Sequence, residues 1–218
     1  IKMIKKNIVY FATFFFLIFK VNYAYSEFNN SIIISVGKYP ITQIDLFKEI
    51  KLIAVLSGSE INDTNRLQIR DLAVNSLIKK TIKTAEVEKR QISKYSKKDL
   101  ENLISQSANN LGVDKDGLKD ILESNSLSYK KLIEKFQIDL KWNSMIFEIY
   151  KNKISINTVE VENRLKLELK KLEIDENNEE KIEEIKKNIV NQEKNKKLRM
   201  FSNSHYSNLE RLIQVKFL

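Results

Sequence analysis

The 218-residue chain has no cysteine, one proline, four glycines and one histidine. Without cysteine there is no disulfide framework, no thiolate metal site and no cysteine nucleophile. A lone imidazole cannot build the multi-histidine centres of most zinc enzymes. So few prolines and glycines leave little turn chemistry for a many-stranded sheet, and the chain reads as mainly α. No glycine-rich phosphate loop and no serine in a nucleophile elbow is present. Asp114-Lys115-Asp116-Gly117 opens like a calcium loop but lacks the later ligands and the closing glutamate. The Glu179-Glu180 and Glu183-Glu184 pairs point about 100° apart on a helix, and nothing apolar surrounds them to shift a pKa. The reading is therefore of a protein that is not an enzyme, with no catalytic residue, no metal and no cofactor.

What the chain does contain starts with a targeting pattern. Lys2, Lys5 and Lys6 precede an apolar run from Ile8 to Phe19, and Ala24-Tyr25-Ser26 offers small residues where a signal peptidase reads. The run is short of the roughly 20 residues that span a bilayer. Residues 1–26 are expected to be a signal peptide, and residues 27–218 a single domain with no stable membrane span after cleavage. Retention of residues 8–23 as an anchor is the alternative. The leader carries four lysines and no acid, so its loss takes the net charge from +9 to +5. From Thr158 to Arg199 acidic and basic residues are equal at eleven each, which reads as a solvated helix surface. Nucleic acid is not an expected partner. Two Asn-x-Ser/Thr matches, at Asn29 and Asn62, carry no weight in so asparagine-rich a chain.

After the leader, Ile32 to Val36 is rich in β-branched residues, Gly37-Lys38 fits a glycine-first hairpin turn, and Tyr39-Pro40-Ile41 returns as an edge strand that tolerates proline. Thr42 and Asp45 form a capping-box pattern for a first helix over 42–56, carrying Ile44, Phe47, Ile50 and Leu56. A second helix, 63–89, places Val74, Leu77, Ile78, Ile82 and Ala85 on one face. Ser96 caps a third that ends near Leu111-Gly112, and Asp114 to Ser124 is a fourth, with Gly117 weakening its first turns.

The fifth helix, Ser128 to Lys151, has Ile138, Trp142, Met145, Ile146 and Ile149 on one face and Phe136, Leu140 and Phe147 on another. The apolar arc covers roughly 240°, well beyond the ~100° stripe of a surface helix, so this helix is either surrounded or lines a groove. Trp142, Met145, Phe147 and Tyr150 read first as ordinary core and second as a partial lining of a cleft, where thioether and aromatic groups repack around varied partners. Thr158 caps a sixth helix with Val161, Leu165, Leu169 and Leu172. Residues 173–180 read as a linker, and 181–218 as one long helix, or two end to end, followed by a strand from Ile213 to Leu218. His205, four residues after Phe201 and four before Leu209, reads as a partly buried helix residue.

This succession resembles the N-terminal domain of the SurA family of periplasmic chaperones. The likeness rests on the Ile32–Thr42 hairpin, the Ile44–Leu56 helix, residues 67–92, Ser96 to Gly112, Gly117 to Tyr129 and the exit around Val159-Glu160-Val161-Glu162. In that family a last helix and strand return to complete the domain, and Leu198 to Leu218 has that shape. The resemblance implies a mainly α fold with a small sheet made from the N-terminal hairpin and a C-terminal strand, residues 27–172 and 181–218 forming one domain. It implies a periplasmic, ATP-independent holdase whose partners are unfolded polypeptides, outer-membrane proteins among them. Aromatic-rich client segments would be buried beside the fifth helix, at Phe136, Leu140, Trp142, Met145, Phe147 and Tyr150. The chain departs from the family where prolyl isomerase domains would sit, because only 173–180 separates the sixth and seventh helices and the isomerase histidine is missing. A different class of function also fits: an anchored helical assembly factor binding one defined partner through residues 158–212. The exported protein is expected to begin at Glu27, which N-terminal sequencing checks; a terminus that retains Lys2 to Phe19 favours the anchored form.

Overall fold

The structure is a computed structural model that describes residues 30–174 and 178–218. The leader and residues 175–177 of the expected 173–180 linker therefore lie outside the described residues. Strand β1 (Ile32–Val36) turns at Gly37-Lys38 into β2 (Tyr39–Thr42). Gly37 has φ +57°, the left-handed value that a glycine-first turn requires. Five helices follow: α1 (Gln43–Leu56), α2 (Arg66–Lys89), α3 (Lys97–Asn110), α4 (Lys115–Ser124) and α5 (Tyr129–Tyr150). A 3₁₀ turn (Lys151–Lys153) leads to α6 (Thr158–Lys171), then the long α7 (Glu179–Leu212) and strand β3 (Val215–Phe217). Among the described residues the fold is thus mainly α, with one three-stranded antiparallel sheet in the order β2-β1-β3.

The two ends of the described chain meet in that sheet. Ile34 pairs with Ile41 on one side and Phe217 on the other, and Val36 with Tyr39 and Val215. Two backbone bonds flank the β3 ladder, Gly37 N–H to the Gln214 carbonyl (2.8 Å) and Leu218 N–H to the Ile33 carbonyl (3.0 Å). Pro40 lies on edge strand β2, where its missing N–H costs no ladder bond. Ile34 and Val36 turn inward onto Ile41, Leu46, Ala73, Leu77, Ile78 and Ile82, with Leu209, Ile213 and Val215 closing this first cluster from the C-terminal side.

Capping chemistry sets most helix starts. Thr42 Oγ1 accepts from Asp45 N–H (3.2 Å) and Asp45 Oδ2 from Thr42 N–H (3.0 Å), the reciprocal box that the sequence signals. Ser96, Asp114 and Ser128 cap α3, α4 and α5. Two starts differ from expectation. At α2, Asn62 and Asn65 exchange side-chain bonds with each other's backbone, so residues 62–65 form a turn and the helix begins at Arg66. At α6 the cap is Asn157, whose Oδ1 accepts from Val159 and Glu160, leaving Thr158 as the first helical residue. Gly117 also has a packing role: a Cβ there would come within 2.9 Å of Val113 Cβ.

Helix α1 sits between two clusters. Ile50 and Ile53 face the sheet cluster, whereas Leu52, Val55 and Leu56 face a second one built by Leu100, Ile104, Ala108, Leu118, Leu122, Leu127, Leu132 and Leu140. Phe47, expected on the inner face, is 45% exposed, with the Lys51 ammonium 5.7 Å above its ring. Residue 47 lies one position past the buried Leu46 and so rotates about 100° out of the core.

Residues 179–212 form one helix and not two, and it begins two residues before the expected start at 181. Its 34 residues extend about 51 Å at 1.5 Å per residue. The N-terminal half pairs with α6 through Val161, Leu165, Ile182, Ile185 and Ile189, a satellite cluster separate from the main core. Arg164 clamps this pair by donating to the buried Glu193 carboxylate and, at 2.8 Å, to Gln192 Oε1. The C-terminal half lies against α2 and α5 and delivers β3 to the sheet. Truncation after Arg211 removes β3 together with Ile213 and Val215 and leaves β1 with an unpaired edge. This is expected to cost about 2–4 kcal/mol by apolar burial and lost pairing, measured as a lower denaturant midpoint.

Candidate functional site

Helix α5 is surrounded on most of its circumference, and the six candidate residues on it part company accordingly. Trp142 is 0% exposed: its indole N–H donates to Ser202 Oγ at 2.8 Å, and its ring meets those of His205 and Tyr206 edge-on at 5.5 and 6.5 Å. Met145 and Ile146 are buried beside it with Val87, Leu198, Phe201 and Leu209 in a third cluster. Tyr150 stacks on Phe201 with ring centroids 4.7 Å apart and planes 5° from parallel. Phe136 packs on the second cluster between α5 and the α3–α4 pair. Trp142 and Met145 therefore do not reach the surface, and Tyr150 and Phe136 are half-buried in seams between helices. Helix α7 supplies the cover that a 240° apolar arc demands on the Trp142 face, and α3 and α4 supply it on the Phe136 face.

Leu140 and Phe147 are the exceptions. Both line a groove of about 770 Å³ between α5 and the α2–α3 connection. Phe147 is 46% exposed on its wall, and Leu140 forms floor. Across from them stand Ile92 and Tyr95, with Asn143 and Ser144 of α5 between. The connection is held in place at both ends. Gln91 takes φ +56° at the end of α2, and the Ile92 N–H returns to the Val87 carbonyl at 3.0 Å, so that Ile92 tucks onto the third cluster. Tyr95 packs on the second cluster, its hydroxyl accepts from Gln137 Nε2 at 3.1 Å, and the Lys141 ammonium lies 5.9 Å from its ring centroid. Between these anchors the backbone N–H groups of Ser93, Lys94 and Tyr95 bond to no other group among the described residues. The groove thus has an apolar floor beside a connection whose backbone N–H groups are unbonded. Ile92 and Tyr95 were invisible as site residues because they are isolated apolar positions in a polar connection, where no period marks them.

The single histidine lies behind this wall, at the junction of α2, α5 and α7. His205 Nδ1 is 3.0 Å from the Tyr150 hydroxyl, and its buried Nε2 makes no hydrogen bond and sits 3.8 Å from Glu86 Oε1. Glu86, itself buried, is bonded by Arg90 Nε. Burial holds the imidazole below its ordinary pKa, Glu86 opposes this and the Arg90 charge adds to it. Beside it, burial and the bond to Glu210 raise the Tyr206 hydroxyl to about 12.

Among the described residues no group of three or more His, Asp and Glu is placed to hold a metal ion, and no helix is long and apolar enough to cross a membrane. No family model and no curated protein matches the chain. Among solved structures, one match is a chain from the Campylobacter jejuni pair formed by the virulence factor PEB4 and the periplasmic protein Cj1289, described as structurally related SurA-like chaperones. It is 15% identical, aligns over 87% of this chain and 99% of its own, and has a TM-score of 0.41.

Because the folded pKa of His205 is depressed, the unfolded chain takes up the proton first as pH falls. The stabilisation from the neutral ring is complete above the unfolded pKa of about 6.5 and is lost as pH falls through that value towards the folded pKa. Thermal melts between about pH 7.5 and 5 are expected to show a smaller decline for His205→Gln than for the parent chain.

Proposed function

We propose that this protein is an ATP-independent holdase that takes extended, aromatic-bearing segments of unfolded polypeptides into the groove between α5 and the α2–α3 connection. The observation that supports this most directly is the half-exposed Phe147 beside Leu140, Ile92 and Tyr95 in a groove of about 770 Å³, with unbonded backbone N–H groups along one wall. An extended segment gains most of its free energy by burying a few aromatic or aliphatic side chains, and its main chain finds partners at Ser93 to Tyr95 whatever its sequence. Phe147 and Leu140 remain as binding residues from the six candidates, and the other four hold the walls in place. The order of elements that resembles the SurA family supports a periplasmic location and outer-membrane proteins as clients. The connection between α6 and α7 is residues 172–178, too short for an isomerase domain of roughly 100 residues, so the function requires no prolyl isomerisation.

A second reading has one observation in its favour. The α6–α7 hairpin packs mainly on itself and leaves Val159, Leu167 and Leu172 exposed, which suits an arm that grips one defined partner. Crosslinking in cells separates the two, since a holdase yields many unrelated clients and an assembly factor yields one.

Replacing Phe147 by Ser is expected to weaken suppression of client aggregation severalfold while lowering stability by no more than about 1 kcal/mol, because half of the ring is already in water. Trp142→Ala is expected to cost about 3–5 kcal/mol. Aggregation assays on two unrelated clients, paired with denaturant melts, measure both. Unchanged suppression with Phe147→Ser at unchanged stability removes the groove as the client site.

A further inference from the structure

A second concavity, of about 200 Å³, lies where α1, α2 and the start of α5 converge. Its floor is aliphatic, made by Leu52, Leu77, Leu127 and Leu132, and its rim carries Lys48, Lys80, Lys131 and Lys135 against Asp45 and Glu49. Glu49 is paired with a cation, whereas Asp45 is held only by neutral donors. Asp45 Oδ2 accepts from the Thr42 backbone and hydroxyl at 3.0 and 2.7 Å, and Glu49, 6% exposed, accepts from Ser76 Oγ at 2.6 Å and from Lys135. Lys131 is paired with Glu134 at 2.9 Å. The Lys48 and Lys80 ammonium groups form no direct hydrogen bond or ion pair among the described residues, although the Lys80 charge acts on Glu134. Four ammonium groups thus stand above the apolar floor against the carboxylates of Asp45, Glu49 and the adjacent Glu134, an excess of one positive charge, with Lys48 and Lys80 outside any direct ion pair. The Glu134 carboxyl beside it registers the same field: the Lys131 bond holds it below its ordinary pKa, and the Lys130 and Lys80 charges add to that.

We infer that this pocket is a binding site for an aromatic side chain flanked by carboxylates, presented by an acidic peptide segment. Size selects the ring. An apolar cavity of about 150 Å³ accommodates benzene, so a phenyl group fits here, whereas drug-sized ligands fill roughly 300 Å³ or more. Charge selects the flanks, since Lys48 and Lys80 gain partners without displacing an existing pair. Nucleic acid fits poorly, because no aromatic side chain lines the pocket to stack on a base. The site is separate from the Phe147 groove and does not rest on the proposed function.

The test uses the full chain and two fluorescein-labelled peptides, one with Asp-Phe-Asp and one with Asn-Phe-Asn between identical Gly-Ser flanks. Fluorescence anisotropy is expected to show about tenfold tighter binding of the acidic peptide at low salt, narrowing as salt rises. The Lys48→Glu/Lys80→Glu variant is expected to abolish that preference, and Lys187→Glu/Lys194→Glu, an equal change of net charge on α7, to retain it. Methyl resonances of Leu52, Leu77, Leu127 and Leu132 are expected to shift on titration, with those of Leu140 and Ile92 unmoved. Equal affinity for the two peptides, a preference that survives the Lys48/Lys80 reversal, or shifts confined to Leu140 and Ile92 each overturn the assignment. Failure of both peptides to bind, with phosphatidylglycerol vesicles binding through Lys48 and Lys80, overturns it too and assigns the rim to an anionic bilayer surface.

Discussion

The burial of Trp142 under α7 is the contact from which the rest of the molecule is organised. A 22-residue helix that is apolar over two thirds of its circumference cannot stand at a surface, and α2, α3 and α4 cover only part of it. The remaining face, Trp142 with Met145, Ile146 and Tyr150, needs a helix from elsewhere in the chain. Leu198, Phe201, Ser202, His205, Tyr206 and Leu209 provide it, with a hydrogen bond for the indole N–H so that the ring enters the core without an orphan donor. Once this seam forms, the end of α7 is directed at the sheet and β3 falls into register with β1. It also steadies the groove, since Val87 and Ile92 belong to the same cluster and Ile92 begins the wall facing Phe147.

Charges inside the molecule act as registers more than as sources of stability. Glu49, Glu86 and Glu193 are buried, and each is held by a cation, Lys135, Arg90 and Arg164 respectively. Replacing such a pair by apolar groups is often neutral, but removing one partner leaves a desolvated charge, so a slipped helix is penalised more than the aligned pair is rewarded. Glu49–Lys135 ties α1 to α5 across the second concavity, and Arg164–Glu193 fixes how α6 lies along α7.

Much of the architecture was legible because it depends on local chemistry. The Thr42/Asp45 box, the Ser96, Asp114 and Ser128 caps, the left-handed Gly37 and Gly112 and the edge position of Pro40 are each written in one or two residues within a single turn of chain. The return of the last strand to the first was read from the family-like order of elements. Where the reading failed, two residue types competed for one role, as with Asn157 against Thr158, or a helix had to choose a face, as with Phe47 against Leu46. The candidate site was half legible. Periodicity marked α5 as apolar on several sides, but which side stays open is decided by the packing of other helices, and the opposite wall is an irregular connection with no period at all.

The sheet has a consequence for how the chain folds. Its central strand lies near the start of the described chain and one of its two partners at the very end, so the domain is closed by a contact of very high sequence separation. Such closure is entropically late, and chains rich in non-local pairing cross their barrier slowly. Until residues 198–217 are in place, Trp142, Met145 and Tyr150 lack the α7 side of their cluster and β1 lacks one of its two partner strands. During that interval the nascent molecule displays the kind of greasy surface that quality-control machinery detects. Folding efficiency is therefore set at the C-terminal end, and lesions there should act on yield in the cell before they act on the properties of molecules that have matured.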